Sequence, residues 1–484
     1  MGSLLIDIGQ CGNQIGLQLL DYFDQTSGQY EDSYLKRQDY NLYHSIHIDT
    51  EPKIIKPITE NRKKYSYINS KNVLYLQNGR GNNWCLGYMD EQKLIQRQQQ
   101  QKKDEIEVKF NKFSENKIQY KNVQKINVNN NILKENTQMI ENSTEIIRKE
   151  IERTDYFIGI NMISSIGGGT GSGFGSRLLQ EMREIFEDIE LINTIVFPNK
   201  SGESTLQHYN CALSLSYMQE YSDCIIYFQN DKINTYLNYS QSKSVEKVID
   251  LNNINQYIAS NILNLMRIND YKNFNRFYFD ILMDTAPMND MKFVEIYSTP
   301  YYYNKTQSTG PECKWEKTLD CLLSQVNVDY QNQIVSTKDN EDNCGFEYDF
   351  MKNEQKKDVS ITTQCILRGG DVQKNVKQNE SLMKYINRKI VQTFNPVLWN
   401  CDNINYEYIN EKANEGIDYK MILAISNRSN IAGIIQNIND IAQQKFKANA
   451  YLHWYYQYGL ERSDFENSFL VLDNICNSYN NLKI

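Results

Sequence analysis

Gly167-Gly168-Gly169-Thr170-Gly171-Ser172-Gly173 is the stretch on which the fold turns. It follows an apolar run ending near Ile163 and opens a helical pattern at Phe174. Glycine allows tight backbone curvature and lets main-chain N–H groups approach an anion with no side chain in the way. A helix N-terminus adds positive partial charge, and the Thr170 and Ser172 hydroxyls can donate to phosphate oxygens. The segment therefore reads as a phosphate cradle. A flexible glycine linker is the bland alternative, but a linker would not be framed by a strand and a helix. No Gly-Lys-Ser/Thr closes the segment, so it is not a Walker A loop, and it does not spell the Gly-x-Gly-x-x-Gly dinucleotide fingerprint.

Working outward, Gly9-Gln10-Cys11-Gly12-Asn13-Gln14 also follows a strand and opens a helix. Alone it would pass as a tight connection, but two such turns can converge on one ligand at neighbouring strand ends. Asp49-Thr50-Glu51-Pro52 offers two carboxylates on one side of an extended chain. They can hold a Mg²⁺ through water or form a solvated acidic turn. Gly79-Arg80-Gly81-Asn82-Asn83-Trp84 adds amide donors, with Trp84 read as a core anchor. Strands are expected at Leu4–Ile8, Ser45–Asp49, Val73–Leu76, Phe157–Ile163, Leu191–Phe197 and Ile225–Phe228. Ile15, Leu19 and Phe23 repeat at helical spacing, as do Phe174, Leu178, Met182 and Ile185. Such alternation implies an α/β fold with a mostly parallel sheet, whose ligands sit at the carboxyl ends of the strands.

The 484 residues, 40% hydrophobic and 23% charged, suit a globular protein of two or three packed units. A net charge of −8 argues against nucleic acid as the main partner. Ten cysteines lie scattered with no CxxC pair, which favours a reduced, cytosolic chain. No apolar run reaches membrane-spanning length, and the first residues lack a secretory or myristoylation signal. From Gln92 to Gln138 the chain is Gln-, Asn- and Lys-rich and reads as an insertion, mostly disordered or loosely helical. Near the end, Ser463-Asp464-Phe465-Glu466 has capping-box form, and Phe465, Phe469, Leu472 and Cys476 share one helix face.

Taken together, Gly9 to Gly16, Gly81-Asn82-Asn83-Trp84 and Gly167 to Gly173 resemble the nucleotide loops of tubulins, in the same order. Tyr209-Asn210, Asn230, Asp250-Leu251-Asn252, Leu367-Arg368-Gly369 and His453-Trp454-Tyr455 extend the likeness over most of the chain. Among tubulins it most resembles the delta kind. That likeness rests on Asp49 to Lys53, Gly87-Tyr88, Ile146 to Glu150, Gly202-Glu203 and Ile366 to Gly369. The end at Asn481-Leu482-Lys483-Ile484 lacks the glutamate-rich tail of alpha and beta tubulins, so the chain is not expected to serve as an ordinary lattice track.

The resemblance implies a tubulin-like fold: a parallel-sheet GTPase domain (1–231, with 92–138 inserted), a core helix and mixed α/β intermediate domain (232–430), and C-terminal helices (431–484). A long core helix is expected from about Asp231 to Met266. It also implies a site for GTP or GDP with Mg²⁺. Gln10, Cys11 and Gln14 would sit by the nucleotide, and Asn82 near the phosphates. Ser165, Gly167, Gly168, Gly169, Thr170, Gly171 and Ser172 would wrap the phosphates, while Glu51 and Asp49 manage the metal. Glu203 would lie near the ribose, with Asn230 and Asn252 reading the guanine edge. Asp280 matches the acidic residue that, in tubulins, orients water against a neighbour's GTP; a surface carboxylate is the alternative.

Two positions depart from the family. Gln207 replaces a ribose-binding Glu, and Val248 replaces the aromatic that stacks on the base. Losing the stack is expected to cost on the order of 1 kcal/mol, so GTP binding weaker than in lattice tubulins follows. The implied role is assembly or maintenance of centriole and basal-body triplet microtubules in the cytoplasm and cilium. Its partners would be other tubulins, microtubule ends or centriole components. Another divergent tubulin (alpha, beta, gamma or epsilon type) and a nucleotide-sensing module that does not polymerise are the alternatives. An ordinary enzyme is disfavoured, because no nucleophile–base set surrounds the loop and His44, His47, His208 and His453 lack metal-ligand spacing.

Overall fold

The computed structural model describes residues 2–26, 35–36, 42–97, 99, 130–200, 202, 204–240, 249–270, 276–300, 314–327, 358–370, 372–410 and 420–482. All six expected strands form: β1 (Gly2–Ile8), β2 (Ser45–Asp49), β3 (Val73–Tyr75), β4 (Phe157–Ser165), β5 (Glu190–Phe197) and β6 (Cys224–Gln229). Four more follow: β7 (Phe293–Thr299), β8 (Ser360–Gly369), β9 (Ile404–Asn410) and β10 (Lys420–Arg428). They make one ten-stranded sheet in the order β3-β2-β1-β4-β5-β6-β7-β10-β8-β9. β1 to β7 pair in parallel, whereas β10 runs antiparallel to both β7 and β8. The first six strands follow the doubly wound order, which reverses between β1 and β4 and leaves a crevice at their carboxyl ends.

Both faces of the parallel half are covered, which is why its strands are continuous apolar runs rather than alternating ones. On one face, Ile15, Leu19 and Phe23 of the helix Gly9–Thr26 pack with the helices Leu251–Met266 and Tyr278–Thr285. On the other lie the helices Asn130–Glu152, Gly175–Ile185, Gln207–Tyr221, Ile431–Lys447 and Arg462–Asn481. A third cluster seats the helices Trp315–Val326 and Glu380–Phe394 against β8 to β10. Among the described residues no disulfide forms, and no helix is long and apolar enough to cross a membrane.

Several expectations need correcting. The helix after the glycine loop is entered through a π-helical turn, Thr170–Phe174, and becomes α-helical only at Gly175. Phe174, Leu178 and Met182 are buried but Ile185, in the last turn, is exposed. The core helix does not run from Asp231; Asn230–Ser240 and Leu251–Met266 are separate helices. Residues 92–97 and 130–138, both read as insertion, are helical, and Leu133 and Asn136 are buried in the fold. The stretch 100–129 lies outside the described residues. The last helix begins at Arg462, and Asp464 caps it by accepting the Glu461 N–H at 2.6 Å, two residues earlier than the expected box. Phe465, Phe469, Leu472 and Cys476 do line its buried face.

Candidate functional site

The sheet order sets the candidate residues side by side at one edge. Strands β3, β2, β1 and β4, and then β6 beyond β5, deliver Gly79–Asn83, Asp49–Glu51, Gly9–Gln14, Ser165–Gly173 and Asn230 to their carboxyl ends. β1 and β4 meet at the topological reversal. There Gly9, at a φ of +74°, leaves its missing Cβ 3.0 Å from the Gly171 nitrogen. A side chain at Gly9 would be strained by its backbone and would separate the two loops. Gly12, in the first turn of the first helix, abuts the Ile163 carbonyl more closely still.

The third glycine loop closes over the second. Gly169 lies against the backbone of Arg80 and Asn83, and Gly173 against the Trp84 carbonyl. Gly81 and Asn82 both take left-handed conformations, φ +52° and +51°, which turn the chain toward Gly168. Around Gly168 itself, a Cβ would meet nothing nearer than Asn82 Oδ1 at 3.9 Å, so the space in front of this loop is open. Thr170 Oγ1 and Thr50 Oγ1 are 2.5 Å apart, linking the loops after β4 and β2. Ser165 Oγ accepts from the Gly167 N–H at 3.5 Å, and the Ser172 hydroxyl donates to the Gly168 carbonyl. Ser172 is fully buried, with its hydroxyl engaged within the loop.

Buried side chains hold this arrangement from behind. Asn13 donates to the carbonyls of Gly9 (2.8 Å) and Ile48 (2.9 Å). Asn210 donates to the carbonyls of Asn82 (2.8 Å) and Gly167 (3.0 Å) and accepts from the Trp84 N–H (3.0 Å). Arg80 is buried with Asn136 Oδ1 on its Nε (3.0 Å) and Nη2 (2.7 Å). The same amide donates to the carbonyls of Leu86 (2.8 Å) and Met89 (2.7 Å). Sequence reasoning missed Asn136 because composition placed it in the insertion. The spacing Leu133, Asn136, Ile140, Ser143, Ile147 was the available signal, since all five sit on one buried helix face. Trp84 is the expected core anchor, stacked on Tyr88 at 4.3 Å.

The remaining candidates divide. Gln10 is exposed at the mouth, and burial pushes the half-buried Cys11 thiol up to about 12. Gln14 Oε1 accepts from Asn255 at 3.3 Å, which brings it one helical turn from Asn252. Asn252 is exposed, and Asn230 is half-buried where β6 ends. Gln207 is buried, donating to the Asn199 carbonyl at 3.2 Å. Glu203 and Val248 lie outside the described residues. His453 is exposed, with its ring 5.2 Å from that of Trp454.

Asp49 and Glu51 fit a hydrated cation. Burial, and then the neighbouring Glu51 charge, push the Asp49 carboxyl up to about 6 even though it accepts backbone N–H bonds. A buried carboxylate beside a second one gains from a divalent ion. Glu51 reaches across to Gly79, whose missing side chain makes room for its carboxylate.

Asp280 stands apart from the pocket. It lies in the first turn of the helix Tyr278–Thr285 and caps it, accepting the Phe277 N–H at 2.9 Å. Phe279 packs on Gly159, near the start of β4, beside the Glu190 carbonyl at the start of β5. The helix therefore underlies the amino ends of the strands, opposite the glycine loops.

Residues 3–110 and 99–238 match the Tubulin/FtsZ family, GTPase domain. Over 526 aligned residues, covering 100% of both chains, the protein is 24% identical to Tubulin delta chain of Macaca fascicularis. It is 23% identical over 522 residues, again 100% of both chains, to Tubulin delta chain of Homo sapiens. Tubulin beta chain of Saccharomyces cerevisiae is 22% identical over 494 residues, 98% of this chain and 91% of its own. With that GTPase domain spread over β1 to β6 and tubulins matching to the end of the chain, this protein belongs to the tubulin family.

Proposed function

We propose that the chain is a delta-type tubulin that binds GTP or GDP with Mg²⁺ and serves the assembly or maintenance of centriole and basal-body triplet microtubules. The observation that carries this reading is the full-length match to two delta chains, coupled to a pocket laid out in nucleotide order along one sheet edge. From β2 to β6 that order runs acidic pair, phosphate cradle, then the Asn230 amide for the base. Gly167 to Thr170, Asn82 and Gln10 would hold phosphate, Asp49 and Glu51 the hydrated metal, and Gln14, Asn230 and Asn252 the nucleoside. Mg²⁺ would neutralise phosphate charge, and the protein's own amides would orient it.

Turnover, if the chain has it, is a property of the assembly. Asp280 occupies the opposite end of the strands from the pocket, so it can orient water only for the nucleotide of a neighbour stacked head to tail. Other tubulins or microtubule ends are the proposed partners, in the cytoplasm and at the centriole or basal body. The GTP-binding unit is taken as 1–231, the intermediate unit as 232–430 and the C-terminal helices as 431–484. Two experiments test the reading. A tagged chain expressed in ciliated cells is expected to mark basal bodies, and a diffuse signal would count against the centriolar role. Co-sedimentation with alpha/beta-tubulin and GTP is expected to carry the chain into the pellet, and its retention in the supernatant would favour the sensing module.

A further inference from the structure

We infer that Asn210 and Tyr455 are positioning residues for the phosphate loops, through which the C-terminal helical segment sets how firmly the pocket grips phosphate. The inference rests on the nucleotide reading above and adds residues that touch no ligand. Asn210 lies in the helix Gln207–Tyr221 with its side chain fully buried. A side-chain amide has two donors and two lone pairs, and here all four are used. Nδ2 donates to Asn82 O and Gly167 O, at 2.8 and 3.0 Å; Oδ1 accepts from Trp84 N at 3.0 Å and from Tyr455 Oη at 2.7 Å. One side chain thereby fixes two separate glycine loops to each other and to residue 455, which lies in the short helix His453–Tyr456.

The peptide geometry gives this a direction. In a trans peptide the carbonyl and the following N–H point to opposite sides. Holding the Gly167 carbonyl toward Asn210 turns the Gly168 N–H the other way, away from Asn210. Donors fixed in this way before the anion arrives need no reorganisation when it binds. The neighbouring residue repeats the link, since the Trp454 carbonyl accepts from Asn83 Nδ2 at 2.9 Å. Tyr455 is fully buried, and its ring packs edge-on against Tyr209 and Phe465, so Tyr455→Phe keeps the packing and deletes only the hydroxyl.

The test uses the full chain and three ligands: GTP, GDP and guanosine. Tyr455→Phe is expected to weaken GTP and GDP binding roughly three- to tenfold while leaving guanosine unchanged, the size of one lost hydrogen bond felt only where phosphate binds. Asn210→Asp removes both donors and places charge behind the phosphates, so its loss is expected to be larger and again confined to the phosphorylated ligands. Tyr479→Phe is the control. Its hydroxyl, bonded to Asn427 Oδ1 (2.9 Å) and Phe293 N (3.1 Å), is equally buried but far from the loops. It is expected to lower the melting temperature and change no affinity. If guanosine affinity falls in proportion in both pocket-side variants, or the phosphorylated ligands are unaffected, the positioning role is overturned. A wild-type chain that binds none of the three ligands overturns the nucleotide reading itself, and the inference with it.

Discussion

The two ends of the parallel sheet are built on different principles. At the carboxyl end the backbone does the assembling: glycines let three loops touch, and buried asparagines satisfy the carbonyls they turn inward. At the amino end side chains set the character, with the carboxylates of Glu190, Asp223 and Asp280 gathered beneath the sheet. Burial, and then the Asp280 and Asp223 charges, push the Glu190 carboxyl up to about 7. The first end suits holding an anion. The second gathers carboxylates instead, with Asp223 paired to Arg183 at 2.6 Å. The head-to-tail stacking proposed above would set one end against the other, and each substitution below tests one end against the other.

Gly173→Ala carries the largest expected effect. Its Cβ would clash with the Trp84 carbonyl, and neither backbone can move without opening the cradle. We expect a loss of about 3 kcal/mol or more, seen in chemical unfolding. Gly433→Ala is the matched control, because nothing lies within 4 Å of its Cβ and it sits in the helix Ile431–Lys447. That change is expected to stabilise by up to about 1 kcal/mol. Equal effects at the two positions would mean that the close approach of the loops is not what holds the pocket.

Asn136→Ala comes next. It takes Asn136 from the Arg80 guanidinium, which keeps Asn78 O and Glu135, and removes the amide donor to the Leu86 and Met89 carbonyls, so a cost of about 2–3 kcal/mol in unfolding free energy is expected. A negligible change would place this helix outside the cooperative core.

The amino end is probed by Asp280. Because it caps its helix, Asp280→Ala is expected to cost about 1 kcal/mol of stability, whereas Asp280→Asn keeps an acceptor for the Phe277 N–H. Both should leave GTP binding to the chain's own pocket intact and remove any turnover stimulated by polymer. Persistence of that turnover in the Asn variant would leave Asp280 as a cap alone.

The smallest effect is a pH dependence. A carboxyl raised in the folded state binds a proton more tightly there than when unfolded. Its contribution to stability therefore falls as pH rises from about 4.5, and the cost is complete above about 7. Glu190→Gln removes that cost, so the melting temperature should rise relative to wild type at pH 8 and match it near pH 4.5. A shift of equal size at both pH values would contradict the electrostatic origin.

What was legible in the sequence follows the same division. The parallel half was readable because its strands are short apolar runs and its loops are spelled in glycine, whose backbone freedom is visible in the letters themselves. Tyr209-Asn210 and His453-Trp454-Tyr455 stood out as family-like words, yet nothing local says that residues 245 apart share a hydrogen bond. Asn136 was hidden by its neighbours, since an asparagine-rich run masks a buried asparagine within it. Nor do the letters show that the Ser172 hydroxyl, in a phosphate loop, donates to the Gly168 carbonyl at the π-helical turn. The core helix was drawn too long because the pattern from Asn230 continues in helical residues without a proline to interrupt it.

The most direct measurement is a titration of the purified chain with GTP, GDP and ATP in the presence of Mg²⁺. The account predicts saturable binding of both guanine nucleotides, reversed by extensive buffer exchange, and discrimination against ATP. A folded chain that shows no affinity for GTP or GDP would contradict it.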